Sequence, residues 1–115
     1  MLSDENRIRL SHMRDAASEA LSFIAGKTRF DLSHDRQLTL ALVKSIEIIG
    51  EAAVKVTDEW KQASSEIPWR DIIGMRNRLI HAYFEIDLDI LWETVTKELP
   101  SLLQVIEESL RSEKE

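Results

Sequence analysis

Cysteine is absent from the 115 residues. That excludes a disulfide scaffold, a thiol nucleophile and a zinc–thiolate centre. Glycine and proline are scarce, at three and two residues. A sheet sandwich needs turn signals every ~8–12 residues, so this scarcity points to long helices instead. No apolar run approaches the roughly 18 residues of a membrane span. The opening residues, MLSDENRIRL, put acids ahead of any apolar run and contain no signal-peptide core. A soluble, cytoplasmic protein without membrane contact is expected. Cations are outnumbered, with 15 Lys and Arg against 21 Asp and Glu and a net charge of -6. Non-specific coating of nucleic acid relies on Lys and Arg against phosphates, so that role does not fit. A small, locally basic site still does.

Neither His-x3-His nor His-Glu-x-x-His occurs, and no Gly-rich phosphate loop or Ser/His/Asp arrangement is apparent. No metal site and no cofactor are expected. His12 reads as solvent-facing or as a local polar contact. His34 reads as part of a polar helix start with Asp31, Ser33 and Asp35, and the aspartates at 31, 35, 87 and 89 read as helix-start acids.

What the chain does contain is 43% hydrophobic and 31% charged residues, a globular balance. At this length a chain buries about two-thirds of its unfolded surface, enough for a core without staples. One domain over residues 1–115 is expected, with a frayed tail over 111–115.

The periodicity predicts four apolar segments. The first runs from Asp4 to Ala25, capped by Ser3 or Asp4, with Leu10, Met13, Ala17, Ala20, Leu21 and Ile24 on one stripe and Gly26 as its stop. The second runs from Ser33 to Gln62. Its stripe is Leu38, Leu42, Ile49, Ala52, Val56 and Trp60, and Ala41, Ile46, Ile48 and Ala53 widen it enough to suggest burial on two sides, one of them a subunit interface. Gly50 offers a flat patch for a neighbouring helix, and Gly74 suggests a second close helix contact. The third segment opens at Pro68 and runs to His81. The fourth starts at Asp87 and carries Leu88, Leu91, Val95, Leu99, Leu102, Ile106 and Leu110, with a kink or break expected near Leu99 because of Pro100. The sum is an all-α, antiparallel four- to five-helix bundle.

Candidate chemistry concentrates in RNRLIHAY, residues 76–83. Arg70, Arg76 and Arg78 face only Asp71 within the third segment, a cationic spot suited to one phosphate. Histidine is the natural proton-transfer group near neutral pH, and an arginine fork holds phosphate and stabilises charge developing in a displacement. Together they suffice for metal-independent cleavage of RNA, with His81 activating the ribose 2′-hydroxyl or protonating the leaving oxygen. On a straight helix Asn77 and Arg78 lie about 40° and 60° from His81, and Arg76 and Tyr83 about 20° apart, whereas Arg76 and His81 are about 140° apart. Arg76 and His81 can therefore meet only if two copies of the helix face each other, or if the helix distorts near His81. A symmetric dimer with a shared cleft satisfies the first condition. The plain structural alternative pairs Arg76 and Arg78 with acids of the second segment, such as Glu47 or Glu51, and hydrogen-bonds His81 in the core. Trp69 and Trp92 read as packing residues, with a base-stacking use for Trp69 as the alternative.

Several stretches together resemble a known family. They are Ile48-Ile49-Gly50-Glu51-Ala52-Ala53, Ile67-Pro68-Trp69-Arg70, Gly74-Met75-Arg76-Asn77 and Leu79-Ile80-His81-Ala82-Tyr83, with Asp87 and Trp92 beyond. The chain resembles the HepT-like ribonuclease toxins of the HEPN superfamily from the first segment to Leu110, without departure inside the motif. The resemblance implies an all-helical homodimer with motifs facing across a cleft, and metal-independent cleavage of RNA as the toxin of a type VII toxin–antitoxin pair. It implies a partner, a minimal nucleotidyltransferase antitoxin of the MntA type, that binds the toxin and transfers AMP onto the motif tyrosine. Carried over, Arg76 and His81 are catalytic, Asn77 holds or orients the phosphate, Arg78 supports, and Tyr83 accepts AMP. A phosphate beside His81 and the arginines would block the cleft and repel an RNA backbone. Two other readings stand beside this one. One is a non-catalytic nucleotide- or partner-binding module that works with a nucleotidyltransferase. The other is a purely structural helical dimer.

Overall fold

The computed structural model describes residues 2–81 and 85–112, with the backbone alone at His81. Four longer helices make the body: α1 (Asp4–Phe23), α3 (Arg36–Lys55), α5 (Trp69–Leu79) and α7 (Leu99–Ser112). Shorter ones connect them: α2 (Arg29–His34), α4 (Asp58–Ala63) and α6 (Leu88–Glu93). Two-residue strands β1 (Ile80–His81) and β2 (Glu85–Ile86) pair antiparallel after α5, in the register Ile80 with Ile86 and His81 with Glu85. The expected all-α bundle is the observed one.

Local chemistry sets the helix starts. The Ser3 hydroxyl accepts from Asn6 N at 3.1 Å and opens α1. Asp35 Oδ1 accepts from Leu38 N at 3.0 Å and opens α3, and Asp87 Oδ1 accepts from Ile90 N at 3.0 Å to open α6. Gly26 follows the end of α1 with φ of 75°, a conformation that disfavours any side chain. The helices share one core, in which Leu10, Leu42, Ile46, Ile49, Leu79, Leu91, Leu99 and Ile106 are wholly buried. Helix α3 packs against both α1 and α5, and α7 packs on α1.

The second apolar segment divides where the periodicity predicts continuity. Helix α3 ends at Lys55, and a new cap at Thr57 starts α4, its hydroxyl accepting from Trp60 N at 3.4 Å. The break is held from a distance. Buried Asn6 donates from Nδ2 to the Thr57 hydroxyl at 3.0 Å and accepts from Thr57 N at 3.1 Å. Of the residues that widen the segment's apolar surface, Ile46 and Ala53 are wholly buried between its own helices, while Ala41 and Ile48 are half-buried. The helix contact expected at Gly50 is present: a Cβ there would meet the carbonyls of Ile73 and Ile72 at 3.8 and 3.9 Å. The contact expected at Gly74 is not, because no described residue lies within 4 Å of a Cβ at that position.

Pro100 does not break the last segment. The helix widens into a π-helical turn over Thr94–Glu98, with Leu99 N donating to Thr94 O, and then resumes as α7. Widening relieves the crowding that a proline ring imposes on the preceding turn. Helix α7 continues through Arg111 and Ser112, two residues of the tail expected to fray. Among the described residues no helix is long and apolar enough to cross a membrane.

Candidate active site

Helix α5 carries the candidate motif. Pro68 is its N-cap, its carbonyl accepting from Ile72 N at 3.0 Å. Ile72, Met75 and Leu79 are buried, which turns Arg76, Asn77 and Arg78 outward on the last turn. Cations there also oppose the partial negative charge at a helix C-terminus. Trp69 is a packing residue. Its ring meets Trp60 edge-on at 5.9 Å, and its Nε1 donates to Ser64 O at 3.2 Å.

The helix does not reach His81. It ends at Leu79, and Ile80 is already extended, at φ of -109° and ψ of 118°. Asp87 N donates to Leu79 O at 2.7 Å, and β2 pairs with β1, so the chain beyond replaces the next helical turn with a strand pairing. The helical angles expected between Asn77, Arg78 and His81, and between Arg76 and Tyr83, therefore do not apply. The helix instead gives way before His81, the second of the two conditions under which Arg76 and His81 could converge. Tyr83 lies outside the described residues.

Arg76 and Arg78 find different acids. Arg76 Nε pairs with Glu47 Oε1 of α3 at 3.4 Å, as the plain structural alternative expects. Arg78 does not join the second segment. Its Nη2 pairs with Glu98 Oε1 of the π turn at 3.1 Å and donates to Asp71 O at 3.3 Å. Glu98 is a partner that helical spacing could not reveal, since it comes from an element packed beside α5. Both pairs are substantially solvent-exposed, so each holds its arginine only weakly.

Arg76 and Asn77 line an open groove of about 200 Å³ between α3 and α5, with Glu47, Glu51, Val54 and Ile73. The groove offers one guanidinium and one amide to an anion, with carboxylates opposite. Val54 and Ile73 bring exposed apolar surface to the same place.

An all-α bundle with an exposed Arg-Asn pair at the end of its third long helix and a histidine just beyond matches one class of protein. The ribonuclease HepT-like family matches residues 13–109, and the chain belongs to that family. A protein of Caldanaerobacter subterraneus subsp. tengcongensis, provisionally named an RNase, is 39% identical over 105 residues, covering 91% of this chain and 94% of its own length. A protein of Thermococcus cleftensis, provisionally named ribonuclease HepT, is 40% identical over 95 residues, covering 79% of this chain and 86% of its own. A third, from Methanocaldococcus jannaschii and also provisionally named an RNase, is 28% identical over 93 residues, covering 81% and 85%. No solved structure matches the chain.

Proposed function

We propose that the chain is a metal-independent endoribonuclease, a single cytoplasmic domain that acts as the toxin of a toxin–antitoxin pair. The observation that carries this is the end of α5. Arg76 and Asn77 stand exposed on a groove, and the helix stops at Leu79 so that His81 leaves it in extended chain. The names of the relatives support the substrate class.

In this reading His81 takes the proton of a ribose 2′-hydroxyl. The freed oxygen attacks the adjacent phosphorus, the bond to the 5′-oxygen breaks, and a proton from the imidazolium of the facing copy satisfies that oxygen. The products are a 2′,3′-cyclic phosphate and a 5′-hydroxyl end. Arg76 stabilises the charge building on the phosphoryl oxygens, Asn77 orients the phosphate, and Arg78 adds background positive charge. Arg76 must let go of Glu47 to do so, which an exposed pair allows at little cost. A homodimer brings two such grooves together, and the exposed Val54 and Ile73 support a facing copy there.

The cognate minimal nucleotidyltransferase neutralises the toxin by binding it and by moving AMP from ATP to the phenolic oxygen of Tyr83, the chain's single tyrosine, with release of pyrophosphate. Expression without that partner should arrest growth, and His81→Ala should relieve the arrest. Intact mass after co-expression should show added AMP, mapped to Tyr83. Equal toxicity of wild type and His81→Ala would refute the toxin reading. An unmodified Tyr83 beside an active partner would remove the switch.

One observation favours a second reading, a non-catalytic nucleotide- or partner-binding module. Arg76 is already paired within its own chain. That reading expects nucleotide or partner binding by calorimetry with no RNA cleavage.

A further inference from the structure

Away from α5, helices α1 and α7 flank an open groove of about 580 Å³, lined by Arg7, Ser11, Arg14, Glu107, Leu110 and Arg111. Arg7, Ser11 and Arg14 recur at four- and three-residue spacing, so one face of α1 presents all three. Arg111 faces them from the last turn of α7. Among the described residues, three guanidinium groups thus meet one carboxylate, in a protein whose net charge is -6.

These arginines are only lightly engaged. Arg7 Nη1 donates to Leu110 O at 3.4 Å, a long contact that ties the guanidinium to the end of α7. Arg14 pairs with its exposed neighbour Asp15 at 3.1 Å, a contact of little strength. Arg111 makes no ion pair with any described residue. The guanidinium fork matches the oxygens of a phosphate, and the Ser11 hydroxyl adds a further donor. A protein partner is the poorer fit. A protein interface centres on apolar side chains, and the only such residue lining this groove among the described residues, Leu110, is itself buried.

We propose that the α1/α7 groove is a second phosphodiester-binding site, which holds the backbone of single-stranded RNA through Arg7, Arg14 and Arg111. This rests on the ribonuclease reading for its ligand but uses none of the α5 residues. It supplies positive charge that the α5 groove lacks, where Glu47 already faces Arg76. The site is sequence-blind, because it touches phosphate and not base edges.

The test is the salt dependence of binding to a short labelled oligothymidylate, which has the same backbone but no 2′-hydroxyl to cleave. Arg14→Gln with Arg111→Gln should lower the magnitude of the slope of log K against log salt by about 1.4, and weaken binding about tenfold near physiological salt. Lys44→Gln with Lys55→Gln removes as much charge elsewhere and should leave the slope unchanged. Arg7→Lys keeps charge but loses the fork, and should weaken binding less than the double change. Thermal melts confirm that each variant folds.

Equal slopes for the two double variants, or no change in either, overturn the groove. So does a wild type that does not bind the strand. Loss of antitoxin association with an unchanged slope would assign the groove to a protein and also overturn it. RNA cleavage by wild type is scored separately. A chain that cuts RNA with a slope indifferent to the groove keeps its proposed function and loses this inference. A chain that binds through the groove but cuts nothing keeps the groove and loses the function.

Discussion

Arg76 and Glu47 bridge α5 and α3 through one contact, Nε to Oε1 at 3.4 Å, on the rim of the groove that also holds Asn77. The arginine proposed to meet a phosphate therefore rests on a carboxylate that must yield to it. Glu47→Gln removes the competing charge while keeping the side chain's size. Stability should change by less than about 1 kcal/mol, as expected of an exposed pair. The Michaelis constant for RNA should fall several-fold with kcat nearly unchanged, measured by steady-state cleavage of a fluorogenic oligoribonucleotide. A raised Michaelis constant would mean that Glu47 positions Arg76 for substrate and does not compete with it.

Asn6 anchors the break between α3 and α4 with two hydrogen bonds to Thr57, and it is only 4% exposed. Asn6→Ala forfeits both and leaves the Thr57 amide without its partner. Unfolding in urea should show a loss of about 1–3 kcal/mol. Because the Asn6 side chain is spent on Thr57 and lines neither groove, cleavage by the folded variant should be unaffected.

Two of the three glycines are opposite cases. Gly74 sits in α5 with open space where a Cβ would project. Gly74→Ala should stabilise the protein by up to about 1 kcal/mol through helix propensity. Gly26 has positive φ, so Gly26→Ala should destabilise by about 1–2 kcal/mol. Opposite shifts in melting temperature would confirm the contrast.

The long helices were legible because burial in a bundle repeats every three or four residues. Leu38, Leu42, Ile49, Ala52, Val56 and Trp60 are all buried, as their stripe predicts. Yet the same stripe concealed the stop at Lys55. Val56 and Trp60 keep the helical spacing across a break imposed by Asn6, which is 51 residues away in sequence. The end of α5 was hidden for a related reason. Leu79, Ile80 and His81 continue a plausible helical pattern, and what ends it is pairing with Glu85 and Ile86 further along. At Pro100 the sequence located the disturbance but not its form, since a π turn and a break answer the same missing donor. The motif residues Arg76, Asn77 and Arg78 could be picked out by type, and the Glu47 partner by segment. Glu98 could not, and neither could the α1/α7 groove, because Arg111 joins Arg7 and Arg14 only through packing of opposite ends of the chain.

The central claim is cleavage of RNA by Arg76 and His81 without a metal. Its most direct test is incubation of the purified protein with RNA in excess chelator, comparing wild type, Arg76→Ala and His81→Ala, with the product ends analysed. The account predicts cleavage by wild type leaving 2′,3′-cyclic phosphates, and a loss of at least about 100-fold in each variant while the fold persists. Cleavage by His81→Ala at the wild-type rate, or wild-type activity that vanishes in chelator, would contradict it.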